Sequence, residues 1–460
     1  MSATANVAAG LVEAIGPKHV VAAAEELEAY AIDGLIPSAI AQPAFADEAV
    51  EVVRFALAQK LAVLPLGSRS KCELGMPSER YDIALDMTGL KEIAHYDAGD
   101  LTLSVDAGMP MRTLEMHLKK SDQFLPLAVP CFESATVGGT IASGIDSALR
   151  LRYGSARDFL IGAEFIDGTG ELCKSGGRVV KNVTGYDLHK LLIGSLGTLG
   201  VITRLNFRTF PLPAVSGGHL ACFKTLDDVS EYHSALERSG LPLANLEILS
   251  PVLAGMLWAI LHRSEEKYPE ELQEKLWYAY SSAEGSDAVV RRIGRDLEKV
   301  GREKAAVQCR VLETNEDQAL GGMLREAFEW LRWASPANVI CRLSLPTLNA
   351  RALSTLLQMA ESNTLRPALL VRAVGIVYFA AFADSEEEQA IEAVAKVGKG
   401  VAALAQGEKG HCTFLHAPRT VKMKLAGANP AKINRNMQLR VKQAFDPSGV
   451  FAPGRIVGGI

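Results

Sequence analysis

The seven cysteines of this 460-residue chain, Cys72, Cys131, Cys173, Cys222, Cys309, Cys341 and Cys412, stand far apart. None has the paired spacing of a zinc or iron–sulfur site, and no disulfide framework of a small secreted domain is visible, so a reducing cytosol is expected. A basic surplus is also missing. The 48 Lys and Arg against 53 Asp and Glu leave a net charge of −5, which offers little to nucleic-acid phosphates or an anionic lipid surface. The longest apolar stretches, Val252–Leu261 and Leu369–Ala383, are too short or are broken by Arg372. Crossing a hydrocarbon core of about 30 Å takes about 20 apolar residues, so membrane contact is expected only through a partner. The opening MSATANVAAGLVEAIGPKHV lacks the basic region, apolar core and cleavage site of a secretory signal, and none is expected.

Two phosphate-binding signatures are missing as well. G-x-G-x-x-G does not follow the first strand, GSLGTLG (Gly194–Gly200) has the spacing G-x-x-G-x-x-G, and G-x-x-x-x-G-K-[ST] does not occur. A nicotinamide-binding Rossmann domain and a P-loop are therefore unsupported.

What is present is a globular composition, 48% hydrophobic and 22% charged, long enough for about two or three folding units. From Asp47, DEAVEVVRFALAQK carries apolar residues at helical spacing and runs into LAVLPLG, a buried-strand pattern. Strands are predicted at Ile83–Met87 and Leu101–Val105, and a helix from Met111 to Lys120. Beyond Pro213 the pattern changes to longer helices at Thr225–Gly240, Ser286–Lys304, Glu316–Leu331 and Leu348–Asn363, with strand-like runs such as NVICRLSL between them. A last helix is predicted over Asn429–Phe445. The expected division is an N-terminal helical segment (1–38), a ligand-binding domain (39–213), a cap (214–404) and a returning C-terminal segment (405–460).

Glycine carries the strongest chemical signal. Thirteen of the 40 glycines fall within the 67 residues Ser134–Gly200, a density that allows positive φ and close approach of backbone to a ligand. Pro65–Gly75 (PLGSRSKCELG) follows a strand, and its small-residue turn could form an anion nest with Arg69 and Lys71 adding charge; a solvated surface turn is the plain alternative. Ser134–Gly144 (SATVGGTIASG) adds Gly138, Gly139 and the hydroxyls of Thr136, Thr140 and Ser143. Two such loops suggest a large ligand carrying a diphosphate.

Together with Arg152–Leu172, Lys181–Thr203 and FDPSGVFAPGR (Phe445–Arg455), these loops resemble the vanillyl-alcohol-oxidase, or PCMH-type, FAD-binding family. Within it, GRVVKNVTGYDLHKLLIGSLGTLGVI and GHCTFLHAP are most similar to the FAD-binding subunits of glycolate oxidase. The resemblance implies an α+β fold: a PCMH-type domain of two subdomains holding FAD, and a separate α+β cap. It places Pro65, Gly67, Ser68, Arg69, Ser70 and Lys71 at the diphosphate. Ser134, Ala135, Thr136, Gly138, Gly139, Thr140 and Ser143 would line the ribityl chain and diphosphate, and Gly197, Gly200, Val201 and Ile202 would support the adenine side. It also implies a small 2-hydroxy acid substrate, hydride transfer to FAD, and partner subunits carrying flavin and iron–sulfur clusters. The alternative is a structural subunit that holds flavin weakly.

The chain departs from the family pattern twice. Gly67-Ser68-Arg69-Ser70 replaces a run of glycines, and Ala452-Pro453-Gly454 replaces Asn-Pro-Gly. Oxidation of a hydroxy acid calls for a cation and a base. His411 is the first choice, Tyr186 and Lys181 follow, and His416 and Arg342 are further candidates. Each has a plain reading: His411 as a structural hydrogen-bonder, Tyr186 packed beneath the cofactor, Asp187 capping a helix. No metal site is expected, because His411 and His416 have no acidic partner nearby in sequence. No histidine lies in the first loop, so a dissociable FAD is expected.

Overall fold

The computed structural model describes residues 3–178, 185–261, 276–425 and 432–456. The first sheet is built from short strands, of which Ala39–Ala41 and Ile83–Asp86 are fully buried. Ala39–Ala41 and Val63–Leu66 run parallel to Ile83–Asp86 between them, and Val20–Val21 is added antiparallel at one edge. The predicted helix from Asp47 is observed as Ala46–Gln59; its apolar stripe of Ala49, Val50, Val52, Val53 and Ala56 packs on this sheet, and Lys60 ends it at φ 56°. The C-terminal segment returns here, where Phe451 bridges Val63 in parallel.

A second, antiparallel sheet has the order Ile93–Asp97, Thr102–Asp106, Val201–Arg208, Leu160–Ile166, Leu172–Gly176. Leu103, Val105, Phe159, Phe165 and Phe207 form its core with the helices Met111–Lys119 and Val137–Ser143.

The third sheet has eight antiparallel strands, in the order Gln308–Val311, Val215–Phe223, Trp277–Gly285, Leu243–Leu249, Arg366–Arg372, Ile376–Ala383, Ala337–Ser344, His411–His416. Leu226–Ser239, Asp287–Glu303, Ala350–Glu361 and Glu388–Gly407 bury one set of its side chains. Pro251–Leu261 and Thr314–Arg332 cover the other set, which also meets Leu74, Ile145 and Leu196 of the first two subdomains. The edge strand His411–His416 lies beyond residue 404, so this sheet reaches past the expected cap boundary.

Two buried polar systems join the units. Arg372 is bonded to Glu247 at 2.6 Å inside the third sheet and also donates to Asp146 O at 2.7 Å. Lys442 Nζ reaches Asp446 (2.6 Å), Thr198 O (2.8 Å) and Phe451 O (2.8 Å), tying the last helix, Lys432–Phe445, to the GSLGTLG loop. Among the described residues no helix is long and apolar enough to cross a membrane.

A candidate flavin site between two sheets

The first loop leaves the C-terminal end of Val63–Leu66 and meets the start of the helix Val137–Ser143. Thr136 caps that helix, its Oγ1 accepting from Gly139 N at 3.2 Å. A Cβ on Gly67 would stand 2.1 Å from the same Oγ1, and one on Gly138 would stand 2.6 Å from Ala107 Cβ. Glycine is thus required for the two lips to approach this closely. Gly197, at φ 73°, packs beside Pro65 to form the third side.

Between these lips run two adjoining cavities. The first is lined by Pro65, Gly67, Ser68, Arg69, Ser70 and Lys71 on one side, and by Thr136, Gly139, Ser143, Leu196 and Gly197 on the other. Arg455 closes it. The second continues past Gly138 to Gly200 and Ile202, with Met87 and Ala107 in its wall. Four residues expected at the ligand do not line these cavities. Ser134 is exposed and bonds Cys131 O, Ala135 is buried beneath the loop, Val201 lies in the core beside Ile166, and Thr140 Oγ1 is buried without a partner. Met87, Ala107 and Arg455 went unread in the sequence; of these Arg455 alone had a signal, its place in the APGR motif, while Leu196 lies within the GSLGTLG turn.

The missing glycines do not remove the loop geometry. Arg69 takes φ 62°, and its guanidinium lies 3.7 Å above the ring of Tyr30. That contact offsets the backbone cost of a side chain in this region. Tyr30 donates to Asp86 at 2.5 Å, and burial, then Asp86, pushes its hydroxyl up to about 12, so it stays a neutral donor. Ala452 likewise adopts φ 40°, with its methyl in an apolar cluster of Leu64, Leu66 and Ala84.

A third, smaller cavity opens beyond Ser70 and Lys71, lined by Glu73, Glu329, Arg332 and His416 with Leu74, Ile340 and Leu415. Glu73 receives Arg332 Nη2 at 2.5 Å and has His416 Nδ1 at 3.4 Å. The adjoining His416 first, and then the Arg332 charge, hold Glu73 down at about 2 against burial. Burial lowers Lys71, whose Nζ has Ser70 Oγ at 3.4 Å. A cleft of about 370 Å³ adjoins through Ser143, Leu74 and Leu415; Arg342 lines it, donating to Gly144 O at 2.9 Å and lying 3.2 Å from Asp146.

Of the residues first chosen for catalysis, the two that are described lie elsewhere. His411 is exposed at the start of its strand, opposite Ser344, and lines none of these cavities. Tyr186 is 90% exposed and lines none of these cavities. Asp187 stands at the start of the short helix Leu188–Leu191 but turns its carboxylate to Lys190 at 2.8 Å instead of capping. Lys181 lies outside the described residues. Among those described, no cluster of three or more His, Cys, Asp or Glu could hold a metal. Cys131 takes φ 58°, and burial pushes its thiol up to about 12.

The model of the FAD binding domain matches residues 37–176, and that of the C-terminal domain of FAD linked oxidases matches 212–456. The glycolate oxidase subunit GlcE of Escherichia coli is 38% identical over 168 residues, 36% of this chain and 47% of that subunit. D-2-hydroxyglutarate dehydrogenase of Xanthomonas citri is 32% identical over 46% of this chain and 45% of its own length, so the chain matches about half the length of these two relatives. The glycolate oxidase subunit GlcD of Bacillus subtilis is 23% identical over 92% of this chain and 89% of its own length. Among solved structures, p-cresol methylhydroxylase with substrate bound superposes with a TM-score of 0.78 at 16% identity, covering 100% of this chain and 97% of that one. The 4-ethylphenol oxidase of Gulosibacter chungangensis gives 0.78 at 13%, covering 99% and 98%. The cleft between the two smaller sheets, closed by glycines and by a buried guanidinium, suits the diphosphate-bearing cofactor those two models name. The chain belongs to the FAD-linked oxidases: it is an α+β, PCMH-type flavoprotein, an FAD-linked oxidoreductase whose cofactor is FAD.

Proposed function

We propose that the chain oxidises a small 2-hydroxy acid, with glycolate the first choice and D-lactate the next, as one subunit of a larger assembly. The observation that carries this reading is the polar cavity of Lys71, Glu73, Arg332 and His416, which shares Ser70 and Lys71 with the cofactor cavity. FAD, when bound, supplies acceptance of a hydride from the carbon bearing the substrate hydroxyl. The remaining tasks fall to the protein. Lys71, lining both cavities, is the electrostatic anchor for the substrate carboxylate. His416 takes the hydroxyl proton, with the Glu73 carboxylate 3.4 Å from Nδ1 to orient the ring and stabilise its charge. Arg332, bonded to Glu73 and to Glu329 at 2.9 Å, fixes that carboxylate in place.

The names of the relatives support both parts of the proposal, since GlcE and GlcD are subunits of glycolate oxidase and others are D-lactate and D-2-hydroxyglutarate dehydrogenases. Electrons would leave for partner subunits carrying flavin and iron–sulfur clusters, in the cytoplasm or at a membrane reached through those partners. Steady-state reduction of an artificial dye acceptor by the purified chain tests the substrate class. Saturable dye reduction is expected with glycolate or D-lactate. A response to neither acid, alongside one to NADPH, would replace the hydroxy-acid reading with a nicotinamide-dependent one.

A further inference from the structure

The strongest unassigned feature is the last arginine. Arg455 is 3% exposed and lines the cofactor cavity beside Ser68, Ser70, Lys71 and Thr136. Its Nη2 donates to Cys72 O, while Nε and Nη1 are buried without a partner. The two acids whose charges it feels, Asp33 and Glu73, are already paired with Lys422 at 2.7 Å and Arg332 at 2.5 Å. The backbone leaves it little choice of position. Met76 N donates to Arg455 O at 2.9 Å, Arg455 N donates to Ala452 O, and the turn is fixed by positive φ at Ala452 and Gly454.

A guanidinium is charged at any working pH, and burying one without a counter-ion or a full set of acceptors is costly. A fold keeps such a group where a ligand completes it. The ligand must bring anionic oxygen, because the two orphan groups are donors only. We propose that Arg455 is a cofactor-binding residue, its guanidinium the buried counter-charge to an anionic oxygen of FAD supplied by the C-terminal segment. Two parts of the cofactor can supply such oxygen: the diphosphate, anionic in either redox state, and the N1–C2=O edge of the isoalloxazine, a neutral acceptor that becomes anionic on reduction. The proposal rests on FAD binding by this cleft.

Arg455→Met removes the charge and keeps an unbranched apolar stem. Two opposite effects are expected. The apoprotein should melt at or above wild type, because an uncompensated buried cation is gone, while the Kd for FAD rises by about tenfold or more, the worth of a hydrogen bond to a charged group. Arg455→Lys should hold FAD within about threefold of wild type, since one ammonium keeps the charge. ADP, titrated in parallel, separates the sources. Equal weakening of ADP and FAD places the contact at the diphosphate; a loss confined to FAD places it at the ring. An R455M apoprotein that melts lower or fails to fold, or one that binds FAD within twofold of wild type, overturns the proposal, because Arg455 then serves the Cys72 turn alone. A wild-type chain that binds no FAD overturns both this and the cofactor assignment.

Discussion

Lys442→Met tests how the C-terminal segment is held to the cofactor domain. Lys442 Nζ makes three bonds, to Asp446, Thr198 O and Phe451 O, and Asp446 accepts from Val450 N at 2.9 Å and Phe451 N at 2.8 Å. The Asp446 side chain is fully buried. Methionine matches the length of lysine but leaves that carboxylate without its cation and two carbonyls without their donor. Breaking a buried pair on one side costs about 3–5 kcal/mol. The segment from Val450 to Arg455 should therefore open locally before the domains unfold, and exchange of the Val450 and Phe451 amides should quicken by about 10²- to 10⁴-fold. Hydrogen exchange on the C-terminal peptide reads this directly. Adding Asp446→Asn should restore part of the loss, because the uncompensated charge is gone while an acceptor remains. A change of less than about tenfold would refute the reasoning, since a pair of that worth could not be holding the tail.

Three further outcomes are expected. His416→Gln should lower kcat for the acid by about 10²- to 10⁴-fold while FAD binding stays at wild-type strength; an unchanged kcat would remove His416 from the chemistry. Gly67→Ala should weaken FAD binding and destabilise the fold by about 1–3 kcal/mol, because its Cβ meets Thr136 Oγ1 at 2.1 Å; a variant that binds FAD normally would show that the lips can part without loss. His219 is 2% exposed and burial pushes it down to about 4, against about 6.5 in an unfolded chain, so the unfolded state takes the proton first. Stability should fall as pH drops from about 6.5 to about 4, by about 3 kcal/mol from this group, and urea midpoints should lose that slope in His219→Leu. An identical pH slope in the variant would show that His219 does not carry it.

The sequence showed what is local. Apolar spacing located the helices now seen at Ala46–Gln59, Met111–Lys119, Leu226–Ser239 and Ala350–Glu361 to within a residue or two, because each buries one stripe on a sheet. The two glycine loops and the GSLGTLG turn were legible because close approach of backbones demands glycine wherever it occurs. The polar cavity was not legible. Glu73 meets Arg332 across 259 positions, and no local pattern records which carboxylate that guanidinium will find. The preference for His411 over His416 failed on register: a bulge at Leu415 sets both histidines opposite one face of Ala337–Ser344, at Ser344 and Ile340, but His411 stands at the exposed far end of the strand and only His416 reaches the cavity. Arg69 and Ala452 read as losses because each side chain disfavours positive φ; Tyr30 beneath Arg69 and the apolar cluster around Ala452, both set by tertiary contact, hold the two turns open.

The most direct test of the hydroxy-acid assignment is anaerobic mixing of the purified, FAD-loaded chain with glycolate, D-lactate or D-2-hydroxyglutarate while the visible flavin bands are recorded. The account predicts that at least one acid bleaches them, and that the bleaching slows markedly in His416→Gln. Bands that persist under all three acids would contradict it and leave the chain a flavin-holding structural subunit.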